Sequence, residues 1–77
     1  MKVKVLFFGI LMSESGKQAV EVKDVKTTSE LKDKLVKEYP KFSTYQYQIF
    51  VNQEQITGNT SLKPNDEIAL IPPFAGG

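Results

Sequence analysis

The sequence predicts an α+β domain, with one amphipathic helix laid across one face of a mixed sheet. Three observations carry this. Apolar and polar residues alternate through four short runs, at Lys2–Phe8, Gln18–Lys23, Tyr47–Asn52 and Glu67–Ile71. A single segment, opening at Thr27, switches to a helical period. Turn residues punctuate the chain between these segments.

In the first run, Lys2, Lys4, Leu6 and Phe8 share one face and Val3, Val5 and Phe7 the other. Ser13-Glu14-Ser15-Gly16 reads as a turn. The second run places Val20 and Val22 opposite Glu21 and Lys23, so the two runs suggest an antiparallel hairpin. Thr27 with Glu30 three residues on fits a capping box. Leu31, Leu35 and Tyr39, with Val36 beside them, make the apolar stripe of the helix. Pro40 ends that helix, because it has no N–H and restricts Tyr39.

Residues 41–46 read as a polar connector. In the third strand Ile49 and Val51 face one way, Gln48 and Phe50 the other. Asn52-Gln53 can turn it into a short fourth segment, Glu54 to Thr57. In Lys63-Pro64-Asn65-Asp66 proline presets the turn and asparagine tolerates positive φ. The last strand points Ile68 and Leu70 inward, and Pro72-Pro73 forbid further ladder bonds. The order is β-β-α-β-β, which is the β-grasp (ubiquitin-like) pattern: a domain over residues 1–71 and an extended tail over 72–77.

The composition narrows the chemistry. At 77 residues there is room for one small domain. There is no cysteine and no histidine, which removes a thiolate nucleophile, the usual general base and the commonest metal ligands. No metal site is expected. Asp66 and Glu67 are adjacent on a turn and a strand, so they point apart and do not form an acid/base pair. The net charge is +1 and all ten basic residues are lysines spread along the chain; nucleic acid is not an expected partner. The longest apolar run, Val5 to Met12, is too short to span a bilayer. Met1-Lys2-Val3-Lys4 lacks the features of a signal peptide. A cytoplasmic protein without membrane contact is expected.

Two features point outward. The sheet face away from the helix should carry Leu6, Phe8, Phe50, Ala69 and Ile71, which form one apolar patch if the first and last strands are neighbours; such patches mark partner sites. Loops 41–46 or 57–63 folding over this face is the alternative. The second feature is the tail Pro72-Pro73-Phe74-Ala75-Gly76-Gly77. Two prolines favour a stiff stem, six residues at roughly 3.3 Å each reach about 20 Å, and Gly76 and Gly77 can enter a narrow channel. A free α-carboxylate is ionised and a poor electrophile at neutral pH. It must be activated, as an acyl-adenylate would do, and this chain supplies no group to do so. The chemistry belongs to partners; the chain is a non-catalytic participant.

The sequence resembles the family of small, sulfur-carrying subunits of molybdopterin synthase over nearly its whole length. The resemblance rests on Lys4-Val5-Leu6-Phe7-Phe8-Gly9, on Val51-Asn52-Gln53, and on Asn65-Asp66-Glu67-Ile68-Ala69 leading into Pro72-Pro73-Phe74-Ala75-Gly76-Gly77. It implies that a ubiquitin-activating-type enzyme consumes ATP to adenylate Gly77, and that a sulfur donor converts the adenylate to a thiocarboxylate. The tail then inserts into the large catalytic subunit and delivers sulfur to cyclic pyranopterin monophosphate for the molybdenum cofactor. Two small subunits flank a dimer of large ones, and no cofactor is held stably by the small subunit. On this resemblance Gly77 and Gly76 are the reactive end. Leu6, Phe8, Phe50, Ile71, Pro72, Pro73, Phe74 and Ala75 meet the partner.

The chain departs from the family pattern at Met12-Ser13-Glu14, where many members carry Arg-Glu, at Asn65, where glycine is common, and in a short stretch over 41–47. A thiamine-type sulfur carrier shares the fold and ending; Pro72-Pro73 and Phe7-Phe8 favour the pterin role. A ubiquitin-like protein modifier joined through Gly77, and a plain binding module with an inert tail, are the other readings.

Overall fold

A computed structural model describes residues 1–73. Its elements, in chain order, are β1 (Lys2–Phe7), α1 (Ile10–Ser15), β2 (Ala19–Lys23), α2 (Thr28–Glu38), a 3₁₀ helix (Pro40–Thr44), β3 (Gln48–Val51), β4 (Glu54–Ile56) and β5 (Glu67–Ile71). The strands form one sheet in the order β2-β1-β5-β3-β4. β1 and β5 run parallel at its centre, and the β1–β2, β3–β4 and β3–β5 pairs are antiparallel. This is the mixed β-grasp sheet expected, and it makes the first and last strands neighbours.

The alternation in β1 sets the core. Val3, Val5 and Phe7 are buried, and from β5 Ile68 and Leu70 join them with no exposed surface. Leu31 and Leu35 of α2 cover this face, with Val25, Leu62 and Ile49 around them. Fully burying a side chain of this size contributes roughly 1.5–3 kcal/mol, so the core depends on the period-2 pattern lying in register with the helical one.

α2 starts as expected. The Thr27 side chain accepts a hydrogen bond from the Glu30 amide at 3.2 Å. Glu30 reaches back one residue further than in a capping box, accepting from the Lys26 N–H at 2.7 Å. The Asn59 side chain also accepts from Ser29 N at 2.9 Å, so the 57–63 loop caps the helix rather than covering the open sheet face. At the other end Tyr39 leaves helical geometry (φ −128°, ψ 83°), and Pro40 opens the 3₁₀ helix at its first position.

Three expectations are corrected. β1 ends at Phe7, one residue before the expected Phe8. The segment between β1 and β2 is the helix α1 rather than a bare turn; Gly9 precedes it at φ 59° and Gly16 closes it in left-handed geometry at φ 72°. Its Leu11 has no exposed surface, and burying that one side chain holds the six-residue helix on the core. The third correction is the 41–46 connector. It is built around Phe42, 1% exposed, which packs edge-on to Phe7 at 5.4 Å and stacks with Tyr39 at 5.0 Å between ring centroids. Phe42 and Tyr45 stand three apart, the period of a 3₁₀ turn, but two aromatics among polar residues make too short a pattern to mark burial before the elements were assembled.

The turns match their residues. Asn52 and Gln53 both take positive φ (51° and 74°), the two-residue turn whose twist suits an antiparallel hairpin. Asn65 takes φ 67°, as the turn preceding β5 requires.

Candidate functional site

The parallel pairing of β1 and β5 brings their C-terminal ends to one edge of the sheet. β1 leads there into Phe8-Gly9-Ile10, and β5 into Ile71-Pro72-Pro73. The register then builds the open face in rows. Leu6 stands between Ala19 on β2 and Ala69 on β5, Ala69 faces Phe50 on β3, and Ile71 faces Gln48. Leu6, Phe8, Phe50, Ala69 and Ile71 line one shallow depression, with Gln53 and Glu67 at its margin. The five apolar residues expected to share this face are therefore together, and Phe8 is 43% exposed.

One row towards the start of β1 the same face turns polar. Lys4 lies between Glu21 and Glu67 in register, and Lys2 pairs with Glu21 at 3.3 Å. The apolar patch is thus confined to the end of the sheet from which the tail leaves. A contiguous exposed apolar patch fenced by charge on one side is the kind of surface that marks a partner site.

The root of the tail is fixed by contact. A Cβ on Gly9 would lie 3.0 Å from Cγ of Pro72, so glycine permits the approach of the stem to the end of β1. Phe8, Ile10, Tyr45, Ile71, Pro72 and Pro73 line a second, continuous apolar groove on this edge. Ile10 is 44% exposed. It belongs to this surface although sequence reasoning did not select it, and nor did it select Tyr45 or Gly9. The available signal was the apolar run from Val5 to Met12, broken only by Gly9, whose second half has no place inside a strand.

Of the ten residues expected at the site, Leu6, Phe8, Phe50 and Ile71 line the depression on the open face, and Pro72 and Pro73 line the adjoining groove. Phe74, Ala75, Gly76 and Gly77 lie outside the described residues.

Asp66 and Asn52 have another task. The Asp66 carboxylate is buried and accepts from Asn52 Nδ2 at 2.9 Å and from the Lys63 amide at 2.8 Å, while Asn52 Oδ1 accepts from the Glu67 amide at 3.0 Å. The pair ties the β3–β4 turn to the start of β5 and so sets the strand that carries the tail. Among the described residues no group of three or more His, Cys, Asp or Glu side chains is placed to hold a metal ion, and no helix is long and apolar enough to cross a membrane.

Residues 5–77 match the ThiS family. The chain belongs to that family. This ThiS-family chain is 35% identical over its whole length to the molybdopterin synthase sulfur carrier subunit of Mycobacterium tuberculosis, covering 99% of that protein. Among solved structures it resembles a chain in the complex of subunits 1 and 2 of molybdopterin-converting factor from Helicobacter pylori. The identity there is 30%, both chains are covered fully, and the TM-score is 0.73. It also superposes on SAMP1 from Haloferax volcanii at a TM-score of 0.86, with 22% identity and full coverage of both chains; that likeness speaks to the shared fold alone.

Proposed function

We propose that this ThiS-family chain is a sulfur carrier for molybdopterin synthesis. Its single activated group is the carboxylate of Gly77. An adenylating partner joins that carboxylate to AMP from ATP and releases pyrophosphate. A donor at the oxidation level of sulfide then displaces AMP and leaves a thiocarboxylate. The tail carries the sulfur into the large subunit of a molybdopterin synthase, where the sulfur bonds to cyclic pyranopterin monophosphate and water then cleaves the acyl C–S bond, returning Gly77 to a carboxylate. The chain binds no cofactor of its own, and ATP is consumed by the activating partner.

The observation that carries this reading is the continuity of the apolar face with the root of the tail. A partner seated on Leu6, Phe8, Phe50 and Ile71 receives a stem that starts at Pro72 with its direction already set. Burial of the patch supplies affinity, and the stem needs no side-chain chemistry of its own. The relative from Mycobacterium tuberculosis, named as a sulfur carrier subunit, supports the same reading.

The test is an intact-mass measurement after incubation with ATP, an adenylating enzyme and a sulfide donor. The expected product gains the mass difference of one sulfur replacing one oxygen, located at Gly77 by fragmentation. An unchanged mass beside an enzyme that loads another carrier overturns the proposal. Supplying the pyranopterin precursor and the large subunit then distinguishes pterin synthesis from thiazole synthesis. Higher-mass conjugates lost on deleting Gly77 would point instead to a protein modifier.

A further inference from the structure

β2 is an outer strand of the sheet, and the register says which of its groups are free. Asp24 N donates to Met1 O and Phe7 N to Gln18 O, each at 2.9 Å. In an antiparallel ladder the bonded pairs alternate, so Gln18, Val20, Val22 and Asp24 turn their backbone groups towards β1. Ala19, Glu21 and Lys23 turn theirs outward. The Lys23 carbonyl is met by the ammonium of Lys34. The N–H and C=O of Ala19 and Glu21 face the open edge with no strand beside them among the described residues, since β2 ends the order β2-β1-β5-β3-β4.

Beside this edge, on the helix side of the sheet, a groove runs between β2 and α2. Val20, Val22, Leu35 and Tyr39 give it an apolar floor, Lys17, Lys34 and Lys37 stand around it with Glu38 as the acid, and Glu21 and Lys23 line it from β2 with their side chains on the opposite face. Glu21 is engaged by Lys2 on the opposite face. The groove therefore combines an unpaired backbone edge, an apolar floor and an excess of cations.

We infer that this groove binds an extended peptide whose apolar residues alternate and whose flanks are acidic, added to the sheet as a strand beside β2. The peptide backbone pairs with Ala19 and Glu21. Its apolar side chains, two residues apart, settle on Val20, Val22 and Leu35. Its carboxylates meet Lys17, Lys34 and Lys37, and Lys34 exchanges the Lys23 carbonyl for a carboxylate. A second copy of β2 fits less well, because it would bring the same lysines against one another. The groove lies on the face of the sheet opposite the apolar patch, so the peptide and a partner seated at the tail bind together.

The probe is a synthetic decapeptide of alternating valine and threonine with two aspartates at each end, titrated into the ¹⁵N-labelled full chain. Amide shifts are expected over residues 17–23 and 34–39, with Ala19 and Glu21 gaining protection from hydrogen exchange. Lys34→Glu with Lys37→Glu, both exposed positions, should weaken binding by roughly tenfold. Replacing the aspartates of the probe by lysines should do the same. N-methylating the edge-facing amides of the probe, with its side chains unchanged, should abolish binding. The inference is overturned by no shifts at millimolar peptide, by shifts on Leu6, Phe8 and Phe50 instead, by equal binding of the N-methylated probe, or by the same shifts arising from the protein's own concentration without peptide. Loading of sulfur at Gly77 is read separately, so either result leaves the other standing.

Discussion

Gly9 sits where β1, α1 and the root of the tail converge. Its φ of 59° and ψ of −130° lie outside the region that residues with a side chain occupy, and Pro72 Cγ fills the space where a Cβ would go. Gly9→Ala should cost about 1–3 kcal/mol from the backbone conformation alone, read by urea unfolding. It should also shift the amides of Ile71 and Ile10 as Pro72 is pushed away. Phe8, its neighbour, is the opposite case. It is exposed, so Phe8→Asp should leave stability within about 0.5 kcal/mol. It should remove binding of the large partner subunit, measured by calorimetry, if the open face is where that partner sits.

The 3₁₀ helix and β3 carry predictions at the scale of elements. Phe42 fills the space between Phe7 and Tyr39, and Phe42→Ala should destabilise by about 3–5 kcal/mol, a large share of what so small a domain possesses. Thermal unfolding followed by circular dichroism checks it. Tyr47, just before β3, has Lys32 over its ring at 5.8 Å, and burial raises its phenol above the ordinary 10.0. The folded state therefore holds this proton more tightly than the unfolded chain does. That contribution to stability is complete below pH 10 and is lost as the pH climbs through the folded value. Phenolate absorbance should show Tyr47 titrating above 10.0, and Tyr47→Phe should remove that step.

At the scale of the molecule, the domain and its tail should separate in function. Deleting Gly76 and Gly77 removes no side chain from the core, so the melting temperature should not move, while sulfur loading should be abolished. The same truncated protein should keep measurable affinity for the large subunit through the sheet face. Loss of folding on truncation would contradict this division, and unchanged loading would contradict the role of Gly77.

Much of this was determined by sequence alone. The period-2 runs placed β1, β2, β3 and β5, because a strand with one buried face must alternate. The Thr27 cap and Pro40 bounded α2, since both act through the backbone next to them. The same alternation put Leu6, Phe8, Phe50, Ala69 and Ile71 on the open face. Tertiary structure decided what local pattern could not. α1 exists because Leu11 finds the core, and the 3₁₀ helix because Phe42 meets Phe7; in each, a long-range contact fixes a segment too short to show a period of its own. It also decided that β1 and β5 lie side by side and parallel. That pairing joins residues more than sixty apart in the chain, and it turns separate apolar residues into one surface at the root of the tail.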